Sequence, residues 1–204
     1  MKRIIKVRDF APAIQTKDLW GSLVNIPAPG KWIYLSFHRF AACPFCNLRT
    51  NELIQNYALF QNHNVEIVSL WPSDKENLLR FVGKEKPPFL MVSDKGKSIY
   101  KAYGVTESSF TGMIKLLLYP LLIVKALKFK PKKVIIDTDP NLMPANFLIG
   151  PDGVIRMAHY GKHFGDHPKI ESILSKIKQL NNNIYENILD TTFNDHVILP
   201  DCSE

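Results

Sequence analysis

Cys43 and Cys46, in the stretch Cys43-Pro44-Phe45-Cys46, are the residues of this sequence whose type and spacing best suit chemistry. Two thiols three residues apart lie on one face of a helix and can close an intramolecular disulfide. The run Trp32 to Phe37 (WIYLSF) reads as a strand, and the pair follows it directly, opening the next helix. A thiol at a helix N-terminus faces unsatisfied backbone N–H groups and the positive end of the dipole, and both favour thiolate. Cys43 is therefore expected to have a depressed pKa and to act as the nucleophile. Pro44 suits the first helical position, where a missing N–H costs nothing. Other readings stay open. The pair could be structural and inert, or it could hold zinc or copper with His38 as a third ligand, although a fourth is not identified. No metal is assigned, and no organic cofactor is required.

The surrounding elements must position that pair. Residues 13–26 carry a Trp-Gly turn between apolar stretches, an N-terminal hairpin signal. After Cys43, Leu53, Ile54, Tyr57 and Phe60 repeat at helical spacing until Asn62 to Asn64. Val65 to Leu70 reads as a second buried strand, residues 74–83 as a helix, Phe89 to Val92 as a third strand and Ser98 to Tyr103 as a short helix. Phe147 to Ile149 and Val154 to His159 flank the turn Pro151-Asp152-Gly153, a strong hairpin signal. A last helix is predicted from about His167 to Leu180, with Asp166 as its cap and Asn181 to Asn183 as its end. Alternating strands and helices followed by a hairpin imply an α/β sandwich built on a mixed sheet. Residues 1–182 are expected to form the domain and 183–204 a tail.

Composition bounds the function. The chain has 204 residues and a net charge of +7, with 46% hydrophobic and 22% charged residues. These values exclude collagen-like and wholly disordered chains. A domain of this size buries roughly 70% of its unfolded surface and needs no disulfide staples, and three cysteines are too few for such a framework. No window reaches the ~20 apolar residues of a membrane span. Lys6, Arg8 and Asp9 interrupt any signal-peptide core. A soluble cytoplasmic protein is the expectation, and there a close cysteine pair suggests chemistry more than structure. Nucleic-acid binding is not expected, because the lysines lack interleaved aromatics or a recognised module.

Several further motifs match one family in order. Phe37-His38-Arg39 followed by Cys43-Pro44-Phe45-Cys46-Asn47 resembles the F-Y-R-x-x-x-C-P-Y-C-N segment of the peroxiredoxin-like, AhpC/TSA-type branch of the thioredoxin superfamily. Asp9-Phe10-Ala11-Pro12 resembles a shuffled A-P-D-F. Val92-Ser93-Asp94-Lys95-Gly96 to Tyr103-Gly104-Val105 resembles S-D-x-x-G to Y-G-V, one residue shorter before the glycine. Pro144-Ala145-Asn146-Phe147-Leu148-Ile149 with Gly153 resembles P-x-x-F-x-I-x-x-x-G. The resemblance implies a thioredoxin-like fold over residues 9–180, extended by the N-terminal hairpin and by a helical insertion around 111–133.

The same resemblance implies roles. Thioredoxin-like proteins carry a cis-proline before the strand beside the CxxC. Pro144 matches it, so a cis Met143–Pro144 bond that presents the Met143 backbone to substrate is expected. Typical peroxiredoxins place Pro seven and Thr three residues before the nucleophile, where this chain has Ser36 and Phe40, and use Arg where it has Pro144. Phe40 and Pro144 offer no side-chain donor to a developing oxyanion. Arg39 or Arg49 could supply the charge, and His38 could shuttle a proton or simply end the strand. These departures favour thiol–disulfide exchange, with thiol peroxidase activity as the alternative and a non-catalytic binding or metal-delivery module as the third reading. The implied partners are a disulfide or peroxide substrate and a thioredoxin-type or glutathione reductant, with a homodimer compatible. Cys202 is either an alternative resolving thiol or an uninvolved surface cysteine. The lysine-bearing apolar segment 113–133 has three readings: a basic amphipathic helix on an anionic membrane, a lid or dimer surface, or a core-packing helix kinked at Pro120.

Overall fold

The computed structural model describes residues 4–84, 86–107, 111–132 and 134–194. The chain divides into two units, Met1–Pro168 and Lys169–Glu204. In the first, an antiparallel hairpin of β1 (Ile14–Lys17) and β2 (Leu23–Ile26) precedes a five-stranded mixed sheet. The hairpin turn is held by the Asp18 carboxylate, which accepts from the Trp20 and Ser22 amides, and by Gly21 at φ +96°. The Ile26–Pro27 bond is cis.

The sheet comprises β3 (Trp32–Phe37), β4 (Val65–Trp71), β5 (Leu90–Ser93), β6 (Ala145–Ile149) and β7 (Ile155–Tyr160), in the order β5-β4-β3-β6-β7. β3 lies at its centre, parallel to β4 and antiparallel to β6. All six of its residues are buried, as a strand covered on both faces must be. This is the mixed sheet with flanking helices of a thioredoxin-like fold.

Successive β3 side chains point to opposite faces, and the two faces differ in chemistry. Phe37 meets Tyr100 at 5.0 Å, Tyr103 at 5.3 Å and Phe147 at 5.6 Å between ring centroids. That aromatic cluster anchors the apolar core. Tyr34 and Ser36 face the other way, and both hydroxyls donate to Asn146 Oδ1, at 2.7 and 3.2 Å.

The helices fall close to the sequence expectations. α1 (Pro44–Gln55) and α2 (Tyr57–Gln61) replace the one helix implied by the apolar spacing, with a break at Asn56. α3 (Lys75–Arg80) is capped by Asp74. α4 (Ser98–Ala102) is capped from a distance by Asp94, whose carboxylate accepts from the Ser98, Ile99 and Tyr100 amides. The insertion forms α5 (Thr111–Leu116) and α6 (Pro120–Leu127) rather than one kinked helix, because Pro120 starts a new helix at its first turn. The core-packing reading of this segment holds for its inner face alone. Leu116 and Ala126 are buried, but Leu117, Leu118, Leu121, Val124 and Leu127 are exposed.

The second unit is the helix α7 (Ile170–Asn194). It neither starts at Asp166 nor stops at Asn181 to Asn183. Ile170, Ile173, Leu174, Ile177 and Leu180 set its apolar spacing, which Ile184 and Ile188 continue. Cys202 lies outside the described residues. Among the described residues no helix is long and apolar enough to cross a membrane.

Truncating Phe37 removes the ring around which Tyr100, Tyr103 and Phe147 pack. Phe37→Ala should cost about 3–5 kcal/mol, read as a lowered urea midpoint with an unchanged m-value.

Candidate active site

The end of β3 and the start of α1 are tied down from three sides. The His38 amide donates to the Leu70 carbonyl, extending the β3–β4 ladder by one residue. The Tyr100 hydroxyl accepts from the same amide at 3.2 Å and lies 2.7 Å from the His38 and Leu70 carbonyls. The Ala41 amide donates to Ser73 Oγ at 2.9 Å, which in turn donates to Asp137 Oδ1 at 2.8 Å. Asn47 donates through Nδ2 to the Ala41 and Cys43 carbonyls. Cys43 is the N-cap of α1 with extended backbone, and Pro44 occupies the first turn. No acidic residue lies in that turn to offset the dipole.

Arg39 reaches back over this turn. Its Nη1 lies 3.5 Å from Cys43 Sγ, and its backbone amide donates to Cys46 Sγ at 3.3 Å. The remaining guanidinium donors are spent on main-chain carbonyls: Nε donates to Leu142 at 2.9 Å and Nη2 to Pro140. The Phe164 ring covers the guanidinium, with 3.5 Å between its centroid and Cζ. Arg39 is buried, and among the described residues no carboxylate pairs with it.

Both thiols are free and fully buried. Burial pushes the Cys43 thiol up, but a hydrogen bond from the Cys46 thiol, the Arg39 charge and the backbone amides of Cys46 and Phe45 outweigh it, giving about 7. Burial and the neighbouring Cys43 sulfur push Cys46 well above its ordinary value. The pair is thus asymmetric: Cys43 is the thiolate and Cys46 the protonated donor beside it.

The other residues singled out by sequence divide cleanly. Pro144 directly precedes Ala145, which pairs with Phe37 across the β3–β6 ladder. Its peptide bond is trans, since Ile26–Pro27 is the one cis bond among the described residues. The expectation of a cis Met143–Pro144 bond is therefore corrected. The Met143 amide donates to Thr106 and the Pro144 carbonyl accepts from Gly161 at 2.8 Å, so both sides of that bond are held in extended pairing. Arg49 turns away from the thiols, donating to the Tyr34 hydroxyl at 2.7 Å and pairing with Glu52 at 3.2 Å.

His38 is buried with its ring flat on Trp71, 4.1 Å between centroids, and neither ring nitrogen has a partner. Burial, then the Arg49 charge, lower its pKa to about 3. The buried His167 ring lies 5.9 Å away. Among the described residues no three His, Cys, Asp or Glu side chains gather as a metal site. Phe164, Ser73 and Asp137 are site residues that sequence reasoning missed.

Residues 7–158 match the family model for the AhpC/TSA family. The chain belongs to this family. It is 32% identical over 84 residues to a putative peroxiredoxin bcp of Buchnera aphidicola, covering 41% of this chain and 53% of that protein. The match therefore spans about half of that relative's length. It is 28% identical over 110 residues to peroxiredoxin Bcp of Escherichia coli K12, covering 53% of this chain and 70% of that one. A yeast mitochondrial 1-Cys peroxiredoxin shares the fold with a TM-score of 0.67 at 16% identity, over 90% of this chain and 80% of that one. Arg39 thus stands beside Cys43 in an AhpC/TSA protein that has proline where the resemblance leads one to expect arginine.

Two measurements test this electrostatic picture. Thiolate absorbance of the reduced protein should titrate with a midpoint near pH 7, and Arg39→Met should move that midpoint upward. His38 binds its proton far less readily folded than unfolded. The unfolded chain therefore holds more protons between its ordinary 6.5 and about 3, and stability falls as pH falls through that window. His38→Phe should flatten this acid dependence by up to ~1.4 kcal/mol per pH unit, read from urea midpoints across the same range.

Proposed function

We propose that this chain is a thiol-dependent peroxidase that uses Cys43 as the peroxide-attacking thiolate and Cys46 as the resolving thiol. The observation that carries the reading is Arg39 Nη1, 3.5 Å from Cys43 Sγ. The sequence offers no Thr or Arg at the usual positions, and Arg39 supplies from four residues upstream the charge whose apparent absence favoured disulfide exchange. Peroxide cleavage needs fixed positive charge where the leaving oxygen becomes anionic, and a preorganised donor costs no reorganisation at that moment.

The chemistry proceeds in two steps. Cys43 sulfur attacks the terminal oxygen of a hydroperoxide; the S–O bond forms, the O–O bond breaks, and the leaving oxygen takes a proton to depart as alcohol or water. Cys46 sulfur then attacks the Cys43 sulfenic acid, releasing water and leaving a Cys43–Cys46 disulfide. An external dithiol of thioredoxin type, or glutathione, returns two electrons by thiol–disulfide exchange. A second reading, disulfide exchange with a protein substrate through the same pair, is favoured by the depressed Cys43 and raised Cys46 pKa values.

Stopped-flow oxidation of the reduced protein by hydrogen peroxide, followed by thiol trapping and mass spectrometry, separates the two. The peroxidase should give rapid Cys43–Cys46 closure. Cys43→Ser should abolish it, Cys46→Ser should stop at a trappable sulfenic acid, and Arg39→Met should slow the first step about 10²–10³-fold. Slow oxidation by peroxide with fast oxidation by a small disulfide would establish exchange instead.

A further inference from the structure

The α5–α6 insertion is an unpartnered apolar surface with a basic end. From Ser108 to Ile136 the sequence contains no Asp or Glu but six lysines, Lys115, Lys125, Lys128, Lys130, Lys132 and Lys133. Leu117 and Leu118 fill the turn between the helices, and Leu121, Val124, Lys125 and Lys128 follow along one outer stripe of α6 and the residue just past it. Leu118 and Leu121 are 77% and 78% exposed. Single exposed leucines are ordinary, but a run of them on adjoining turns marks an interaction surface.

This surface adjoins the thiol pair. The Tyr119 ring packs on His163 with centroids 4.4 Å apart. At Gly165 even a Cβ would come within 2.9 Å of Leu122 and 3.0 Å of Phe45, so α6 and the first turn of α1 press on the same loop. Phe164, in that loop, covers Arg39. The route from α6 to Cys43 is therefore a few side chains long.

We propose that this face docks on an anionic lipid bilayer, with the leucines entering the interfacial zone and the lysines meeting the headgroups. Charge selects this occupant. A second copy applied face to face would set lysines against lysines with no acidic residue in either segment. An anionic surface instead takes up Lys125 and Lys128 of the outer stripe together, and the long lysine stems let the charges stay in water while the leucines insert. The length of α6, Pro120–Leu127, suits a helix that lies on a membrane rather than one that spans it.

The test uses the full chain and vesicles of phosphatidylcholine with or without phosphatidylglycerol. The protein should co-sediment with the anionic vesicles alone. Each lysine neutralised in Lys125→Gln and Lys128→Gln should weaken binding about five-fold, and Leu118→Gln with Leu121→Gln should abolish it while circular dichroism stays unchanged. Absence of binding, or binding indifferent to these substitutions, overturns the docking. So does a dimer in solution that the leucine substitutions dissociate, which would assign the face to a second copy.

Discussion

The buried Arg39 guanidinium, which has no carboxylate partner among the described residues, governs this site. Removing a cation from water costs several kcal/mol unless hydrogen bonds and an anion compensate. Arg39 meets part of that cost through the Pro140 and Leu142 carbonyls and the Phe164 ring. Those partners are neutral. The anion that can complete the balance is the Cys43 thiolate, 3.5 Å away. The dependence is mutual: the Cys46 hydrogen bond and then the Arg39 charge favour ionised Cys43, and Arg39 is best accommodated while Cys43 is ionised. Oxidation to a disulfide removes that anion. The reduced state is thereby favoured electrostatically, which makes the disulfide the more oxidising.

Such a charge pair works only if its geometry is held, and the fold holds it through groups far apart in sequence. Asp94 caps α4, and α4 presents the Tyr100 hydroxyl to the end of β3. Asp137 orients Ser73, and Ser73 receives the Ala41 amide two residues before Cys43. Asn47 closes the turn from inside α1. The loop from His38 to Cys43 is irregular in backbone, yet each side of it is fastened to a strand or helix. That is the arrangement a preorganised site requires.

How far the sequence discloses this depends on how local each piece of physics is. The strand, the cysteine pair and the helix start are contiguous, so composition and spacing reveal them, as they do the mixed sheet. The direction of the Arg39 side chain is not local. Its partners lie about a hundred residues downstream, and nothing at position 39 alone distinguishes it from Arg49, which serves Tyr34 instead. Pro144 misleads for a related reason, since a motif transfers a position but not the isomer of its peptide bond. The insertion misleads because leucines at helical spacing are equally consistent with a core face and an exposed one. α7 overruns Asn181 to Asn183 because asparagine is only a weak helix breaker where apolar spacing continues beyond it.

The two faces of β3 divide the work between stability and charge control. Phe37 and its aromatic neighbours supply the apolar burial that holds the strand. The opposite face spends some of that stability on Tyr34, Ser36, Asn146 and two buried histidines, with ring nitrogens on both lacking partners. Burial and Arg49 keep both imidazoles neutral. This neutrality matters for the thiols. A protonated histidine at the end of β3 would add a second mobile charge beside Cys43 and tie its ionisation to that of the imidazole. With His38 and His167 neutral and Arg49 engaged by Glu52 and Tyr34, the field at Cys43 is set by Arg39 and the first turn of α1. The thiolate population therefore follows the balance of burial, the Cys46 hydrogen bond and the Arg39 charge rather than the state of the histidines.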